Sequence, residues 1–118
     1  MSADKRKQII GKRMQRPSEF EVQALAYTNL KQHFPIVRGE YKYKISGKRG
    51  ARFDIVLLDD QENIKLIIEV KKSNRSKRTT QGDRYTELTG APTVYIRGMV
   101  DAVNAVQIAT RALQGENQ

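Results

Sequence analysis

The sequence contains no cysteine and a single histidine among its 118 residues. Without cysteine the chain has neither a thiol nucleophile nor a zinc–thiolate site, and the redox state of its compartment stays undecided. His33 has no second histidine with which to bind zinc and no partner for a catalytic triad. No hydrophobic run is long enough for a membrane span or for the apolar core of a signal peptide, so we expect a cytoplasmic protein.

Acidic residues are also scarce, with 13 Asp and Glu against 22 Lys and Arg, which gives a net charge of +9. This excess predicts a polyanionic partner, most simply nucleic acid. An anionic membrane surface is the alternative, but no basic amphipathic helix supports it. The first residues are basic and poor in apolar side chains, so we expect a disordered arm over residues 1–17 and a single domain over 18–118.

Helical patterns flank a region of strands. Ser18 and Glu21 form a capping-box pattern, which predicts a helix to about His33. The side chains expected on its buried stripe are Phe20, Ala24, Tyr27 and Phe34. A second, short helix is predicted over residues 81–88.

The last helix is predicted over residues 101–113. Its expected buried side chains are Val103, Val106 and Leu113. Strand patterns occupy residues 37–45 and 92–97, and the first of these has one polar face.

The most informative strands are residues 52–58 and 64–71, which are separated by a short polar connection that favours a hairpin. If Asp59 pairs with Ile64, the same register sets Asp54 directly opposite Glu69, with Cβ atoms about 5 Å apart. Lys71 then follows Glu69 on the same strand face, because side chains alternate along a strand.

Two apposed carboxylates repel each other unless a cation or a proton lies between them. Oxygen ligands of this kind suit Mg²⁺, with Mn²⁺ as a substitute, and Mg²⁺ commonly takes further ligands from water and phosphate. A lysine beside such an ion can orient or deprotonate an attacking water. The residues Asp54, Glu69 and Lys71 therefore predict a site that cleaves phosphodiesters.

Asp54 followed by Glu69-Val70-Lys71 resembles the PD-(D/E)XK signature of the restriction-endonuclease-like superfamily. Phe53 stands where the signature has its proline, a position that varies widely in the family. The resemblance implies an α/β fold with a restriction-endonuclease-like core in the order α-β-β-β-α-β-α, a mixed central sheet flanked by helices. The order of elements predicted from the residues agrees with it over about residues 18–113.

The resemblance also implies roles for individual residues. Glu21 becomes a metal ligand beside Asp54, Glu69 and the backbone carbonyl of Val70; the alternative is that Glu21 only caps its helix. Gln81 and Tyr85, which share one helical face, become catalytic residues that orient the phosphate or the water. From the residues alone, Tyr85 is core-facing and Gln81 lies on the surface.

The resulting hypothesis is a metal-dependent endodeoxyribonuclease that leaves a 5′-phosphate and a 3′-hydroxyl. In size and layout it is most similar to virus-type replication-repair nucleases and Holliday junction resolvase-like nucleases of bacterial, archaeal or phage origin. An intron-encoded homing endonuclease and a non-catalytic basic DNA-binding module are the alternatives. Paired cuts in duplex or branched DNA need two sites, so we expect a homodimer or a larger symmetric oligomer. The expected nucleic-acid-binding residues are Lys12, Arg13, Arg16, Lys48, Arg49, Arg52, Lys72, Arg75, Lys77 and Arg78.

Overall fold

The computed structural model describes residues 18–45, 47–71 and 81–115. Its elements are α1 (Glu19–His33), β1 (Val37–Ile45), β2 (Lys48–Leu58), β3 (Ile64–Lys71), α2 (Gln81–Thr89), β4 (Thr93–Arg97), α3 (Gly98–Val103) and α4 (Ala105–Leu113). This confirms the predicted α/β class and the mixed sheet flanked by helices. Within the described residues, no helix combines the length and the apolar character that crossing a membrane requires.

The four strands form one sheet in the order β1-β2-β3-β4. Neighbouring strands among the first three are antiparallel, and β4 runs parallel to β3. The crossover through α2 provides the long connection that two adjacent parallel strands need.

Each face of the sheet carries its own hydrophobic cluster. On one face, β1 to β4 pack against α1, α3 and α4; the largest buried members are Leu30, Ile55, Leu57, Leu66, Ile68 and Ile96. On the other face a smaller cluster joins the sheet to α2; its buried members are Phe53, Val56, Leu58, Ile67 and Tyr85. Burial on both faces explains the nearly continuous apolar run of β3.

Helix α1 begins as predicted but buries a different stripe. Ser18 is its N-cap and accepts a hydrogen bond from the backbone N–H of Glu21 at 3.2 Å. The buried side chains are Val22, Ala26 and Leu30. The predicted stripe is wrong for Phe20, which is 78% exposed, and for Ala24. Tyr27 and Phe34 are partly buried and pack against the larger cluster.

The C-terminal segment is two helices rather than one, and they meet at Asn104. The side-chain amide of Asn104 donates to the carbonyl of Val100 at 3.1 Å, a local bond of the kind that competes with helix continuation. The fully buried side chains of the second helix are alanines, while the predicted Val106 and Leu113 are partly buried and pack against the larger cluster. Val103, predicted to be buried, is 63% exposed.

The β2–β3 hairpin keeps the predicted register through its centre. Ile55 pairs with Ile68, and Leu57 with Leu66. Near the turn the register shifts and Leu58 pairs with Ile64, so the predicted pairing of Asp59 with Ile64 is wrong.

The carboxylate of Asp59 closes that turn instead. It accepts hydrogen bonds from the backbone N–H groups of Gln61 and Asn63 at 2.9 and 2.8 Å. The bond from Asn63 is the main cause that lowers the pKa of Asp59.

In both strands of the β1–β2 hairpin, the buried side chains change from one face of the sheet to the other at the same level, which we call the turnover. Val37 and Ile55 belong to the larger cluster, whereas Tyr41 and Phe53 belong to the smaller one on the opposite face. The turnover falls at Glu40, whose φ of 49° lies in the left-handed region. From Lys48 to Phe53, β2 pairs with β1 and not with β3, because its pairing with β3 is limited to residues 55–58. We call residues 41–45 and 48–53 the ribbon.

Candidate functional site

Two carboxylates interlock where β2 and β3 stop pairing. The carboxylate of Glu69 accepts a hydrogen bond through Oε2 from the backbone N–H of Asp54 at 3.0 Å. The carboxylate of Asp54 accepts one through Oδ2 from the backbone N–H of Val70 at 2.8 Å. Each side chain thus replaces a ladder bond with a bond to the facing strand, and the structure brings the predicted pair together.

The second oxygen of each carboxylate is available to a ligand. Neither Oδ1 of Asp54 nor Oε1 of Glu69 accepts a hydrogen bond from any described residue. Every buried side-chain N or O atom in the described part of the chain has a hydrogen-bond partner. Because these two oxygens have none, they are in contact with solvent. The pair therefore offers two carboxylate oxygens that no described residue occupies.

Burial makes ionisation of both groups costly. Glu69 is 5% exposed and is the one charged side chain among the described residues that is buried. Its burial raises the pKa of Glu69 from 4.5 to about 7, against the lowering effect of the bond from Asp54 N–H. Burial likewise raises the pKa of Asp54, while the bond from Val70 N–H lowers it.

Lys71 provides positive charge next to the pair. It lies two residues after Glu69 in β3, on the same strand face, and is half-buried. Its charge lowers the pKa of both Asp54 and Glu69. The three residues of the predicted constellation are therefore close enough for their charges to act on one another.

Two further acids act on the pair, and sequence reasoning missed both. The charge of Glu19, in the first turn of α1, raises the pKa of Asp54 and of Glu69. Glu40 raises the pKa of Asp54, and its own carboxylate lies 3.4 Å from the guanidinium of Arg52. Gln23 donates to Glu40 at 3.1 Å and to the carbonyl of Asp54 at 3.3 Å.

A sequence signal was available for one of these acids. Glu19 lies one helical turn before Gln23 on the same helix. Its position in the first turn is the same kind of signal that pointed to Glu21. For Glu40 no signal existed, because its left-handed backbone cannot be inferred from a residue type that rarely adopts it.

The residues assigned by resemblance lie in different parts of the structure. Glu21 takes part in the helix cap, where its Oε1 accepts from the hydroxyl of Ser18 at 3.4 Å. Tyr85 is 5% exposed and packs edge-on against Phe53, with ring centroids 4.6 Å apart. Gln81 is the first residue of α2. The catalytic and metal roles of these residues stay predictions.

Most of the predicted nucleic-acid-binding residues lie outside the described residues. These are Lys12, Arg13, Arg16, Lys72, Arg75, Lys77 and Arg78. The predicted basic arm, residues 1–17, lies outside them as well. Lys48 and Arg49 begin β2, and the side chain of Arg52 is 66% exposed beside Glu40.

The donor set fits a hard cation that keeps part of its hydration. Among the described residues, no group of three or more His, Cys, Asp or Glu side chains is placed to hold a metal ion. Mg²⁺ is commonly held by one or two carboxylates together with waters and substrate phosphates. Asp54 and Glu69, with one accessible oxygen each and raised pKa values, satisfy that smaller requirement.

Comparison of the chain with protein-family models, with curated proteins and with solved structures finds no match. The resemblance of Asp54 and Glu69-Val70-Lys71 to the PD-(D/E)XK signature therefore stays a prediction.

Proposed function

We propose that the chain is a Mg²⁺-dependent endonuclease with a restriction-endonuclease-like core that hydrolyses DNA phosphodiester bonds. The observation that supports this most directly is the interlocked pair Asp54 and Glu69 with Lys71 beside it. Burial disfavours two ionised carboxylates at this position, and a divalent cation offsets that cost.

Each residue of the constellation has a distinct task. Asp54 and Glu69 hold the cation, with the carbonyl of Val70 as a further ligand. When bound, Mg²⁺ supplies Lewis-acid polarisation of a phosphoryl oxygen and neutralises charge that develops on the phosphate. The crossed bonds fix both carboxylates before substrate arrives, which removes a reorganisation cost.

Lys71 would orient the attacking water as the ammonium ion, or take its proton as the neutral amine. Its charge acts on both carboxylates. Gln81 and Tyr85, on α2, assist by orienting the phosphate or the water. Attack in line with the leaving 3′-oxygen yields a 5′-phosphate and a 3′-hydroxyl.

The net charge of +9 supports a polyanionic substrate. Two cuts on opposite strands of a duplex require two active sites, so the proposal includes a homodimer or a larger symmetric assembly.

The test is cleavage of supercoiled plasmid and of a four-way DNA junction in Mg²⁺, Mn²⁺ or EDTA. We expect cleavage with either metal and none in EDTA. Lys71→Ala should lower the rate by about 100-fold or more. Lys65→Ala, which removes an exposed lysine from the same strand, is the matched control and should cut normally. Equal cutting by both variants would refute the role of Lys71.

A second candidate is a non-catalytic DNA-binding module on the same fold. The crossed bonds favour this candidate, because each carboxylate accepts an N–H from the facing strand. A purely structural role, in which the two side chains join β2 and β3, would account for these bonds. This candidate predicts salt-sensitive DNA binding without any metal dependence. Binding without metal-dependent nicking of any nucleic acid would favour it.

A further inference from the structure

The two faces of the ribbon differ sharply in chemistry. Its inner face carries Tyr41, Tyr43 and Phe53, which pack into the smaller cluster. The ring centroids of Tyr43 and Phe53 are 5.8 Å apart, and the hydroxyl of Tyr43 donates to the carbonyl of Leu88 at 3.4 Å. The aromatic side chains are thus committed to contacts with the sheet and α2.

The outer face of the ribbon carries cations. From Tyr41 to Ile45 the side chains alternate between half-buried and exposed, and the exposed positions are Lys42 and Lys44. Lys42 pairs with Arg52 across the hairpin, and Arg52 is 66% exposed. Three cations therefore project from one side of a two-stranded segment.

This outer face is adjacent to the carboxylate pair. Arg52 precedes Asp54 by two residues, about 7 Å along an extended strand. The two are also linked through Glu40, which binds Arg52 and whose charge acts on Asp54. A phosphate backbone held along the ribbon would therefore continue toward the carboxylates.

We propose that the outer face of the ribbon, with Lys42, Lys44 and Arg52, binds double-stranded nucleic acid and directs it to Asp54 and Glu69. The claim that the duplex is directed to the carboxylates rests on the proposed function. The claim that the ribbon binds the duplex does not. The major groove admits a two-stranded β-ribbon, and cations on such a ribbon complement the flanking phosphates.

The same face argues against unpaired strands as the preferred ligand. Proteins that bind single strands stack bases on exposed aromatic rings. The ribbon's described rings, those of Tyr41, Tyr43 and Phe53, lie on the inner face instead. The outer face thus offers charge for a phosphate backbone but no ring on which a base could stack.

The test is binding in EDTA, so that cleavage plays no part. Fluorescence anisotropy would compare a labelled duplex with one of its separated strands over a series of salt concentrations, using the full chain. Lys42→Ala/Lys44→Ala removes two cations from the outer face. Lys31→Ala/Lys65→Ala is the matched control, because it removes two exposed lysines from α1 and β3.

We expect the ribbon variant to bind duplex more weakly and its slope of log K against log salt to fall in magnitude by about 2. The control should keep the wild-type slope, and the single strand should lose less affinity than the duplex. The proposal would be overturned by a wild-type slope in the ribbon variant. It would also be overturned by an equal loss of affinity in the control variant or for the single strand. Duplex binding that depends on the ribbon, in a protein that never cuts, would refute the nuclease and leave the ribbon's role intact.

Discussion

Replacing Glu69 with glutamine should make the metal-free protein more stable at alkaline pH. The folded protein holds a proton on Glu69 with a pKa of about 7, against 4.5 for an unburied glutamate. Because the folded state binds this proton more tightly than the unfolded state, the contribution of Glu69 to wild-type stability is greatest below pH 4.5. It declines as pH rises to about 7 and is then level.

The magnitude follows from the same two values. A change from 4.5 to about 7 corresponds to a loss of up to about 3 kcal/mol in the free energy of unfolding at pH 8. Glutamine stays neutral at every pH, and its carbonyl oxygen can still accept the hydrogen bond from the Asp54 N–H. We therefore expect Glu69→Gln to exceed wild type by up to about 3 kcal/mol at pH 8 and to match it at pH 4.

Urea denaturation in EDTA, followed by circular dichroism because the chain has no tryptophan, would measure this difference. Glu87→Gln, at an exposed position on α2, is the matched control and should show no pH-dependent gain. Adding Mg²⁺ should stabilise wild type and leave Glu69→Gln largely unchanged, since a cation bound only by the folded state raises its stability. A variant that is less stable than wild type at pH 8 would refute the reasoning.

Three other changes test separate parts of the structure. Asp54→Asn should abolish cutting in the plasmid assay while urea denaturation shows preserved or raised stability, because it relieves the repulsion between the carboxylates; a large loss of stability would show a structural role instead. Tyr85→Phe keeps the buried ring, so slower cutting at unchanged stability would support contact with the phosphate, and unchanged cutting would leave only its packing role. Gly50→Ala should lower stability by about 1–3 kcal/mol, because the added Cβ would lie 2.5 Å from the carbonyl oxygen of Tyr43. Gly39→Ala, whose Cβ would meet only ordinary contacts, should be tolerated, and equal losses in the two urea curves would contradict this account.

The hairpin register was accessible from the sequence because a two-residue period and a short polar connection constrain it strongly. That constraint sufficed to place Asp54 beside Glu69, even though the predicted pair at the turn was wrong by one residue. The error arose between Leu57 and Leu58, where the register shifts by one residue, and the carboxylate of Asp59 then accepts two backbone N–H groups of the turn. Local side-chain bonds of this type override strand pairing without changing the hydrophobic pattern.

The helical faces were not accessible in the same way. In α1 the large Phe20 suggested one stripe, but the sheet is contacted by a stripe with Ala26 at its centre. In α4 the buried side is likewise formed by alanines such as Ala105 and Ala109. Small side chains allow a helix to pack close to its neighbours. A scale that ranks residues by hydrophobicity does not predict this closer packing.

The turnover at Glu40 also affects how copies of the chain meet at high concentration. β1 is the outer strand of the sheet, and an uninterrupted outer strand invites the sheet of another molecule to extend it, which is a route to fibrils. The left-handed residue interrupts the row of backbone donors and acceptors midway along β1. The charges of Lys42 and Lys44 repel a second copy of the same strand. Self-association through strand addition is therefore disfavoured at this edge of the sheet.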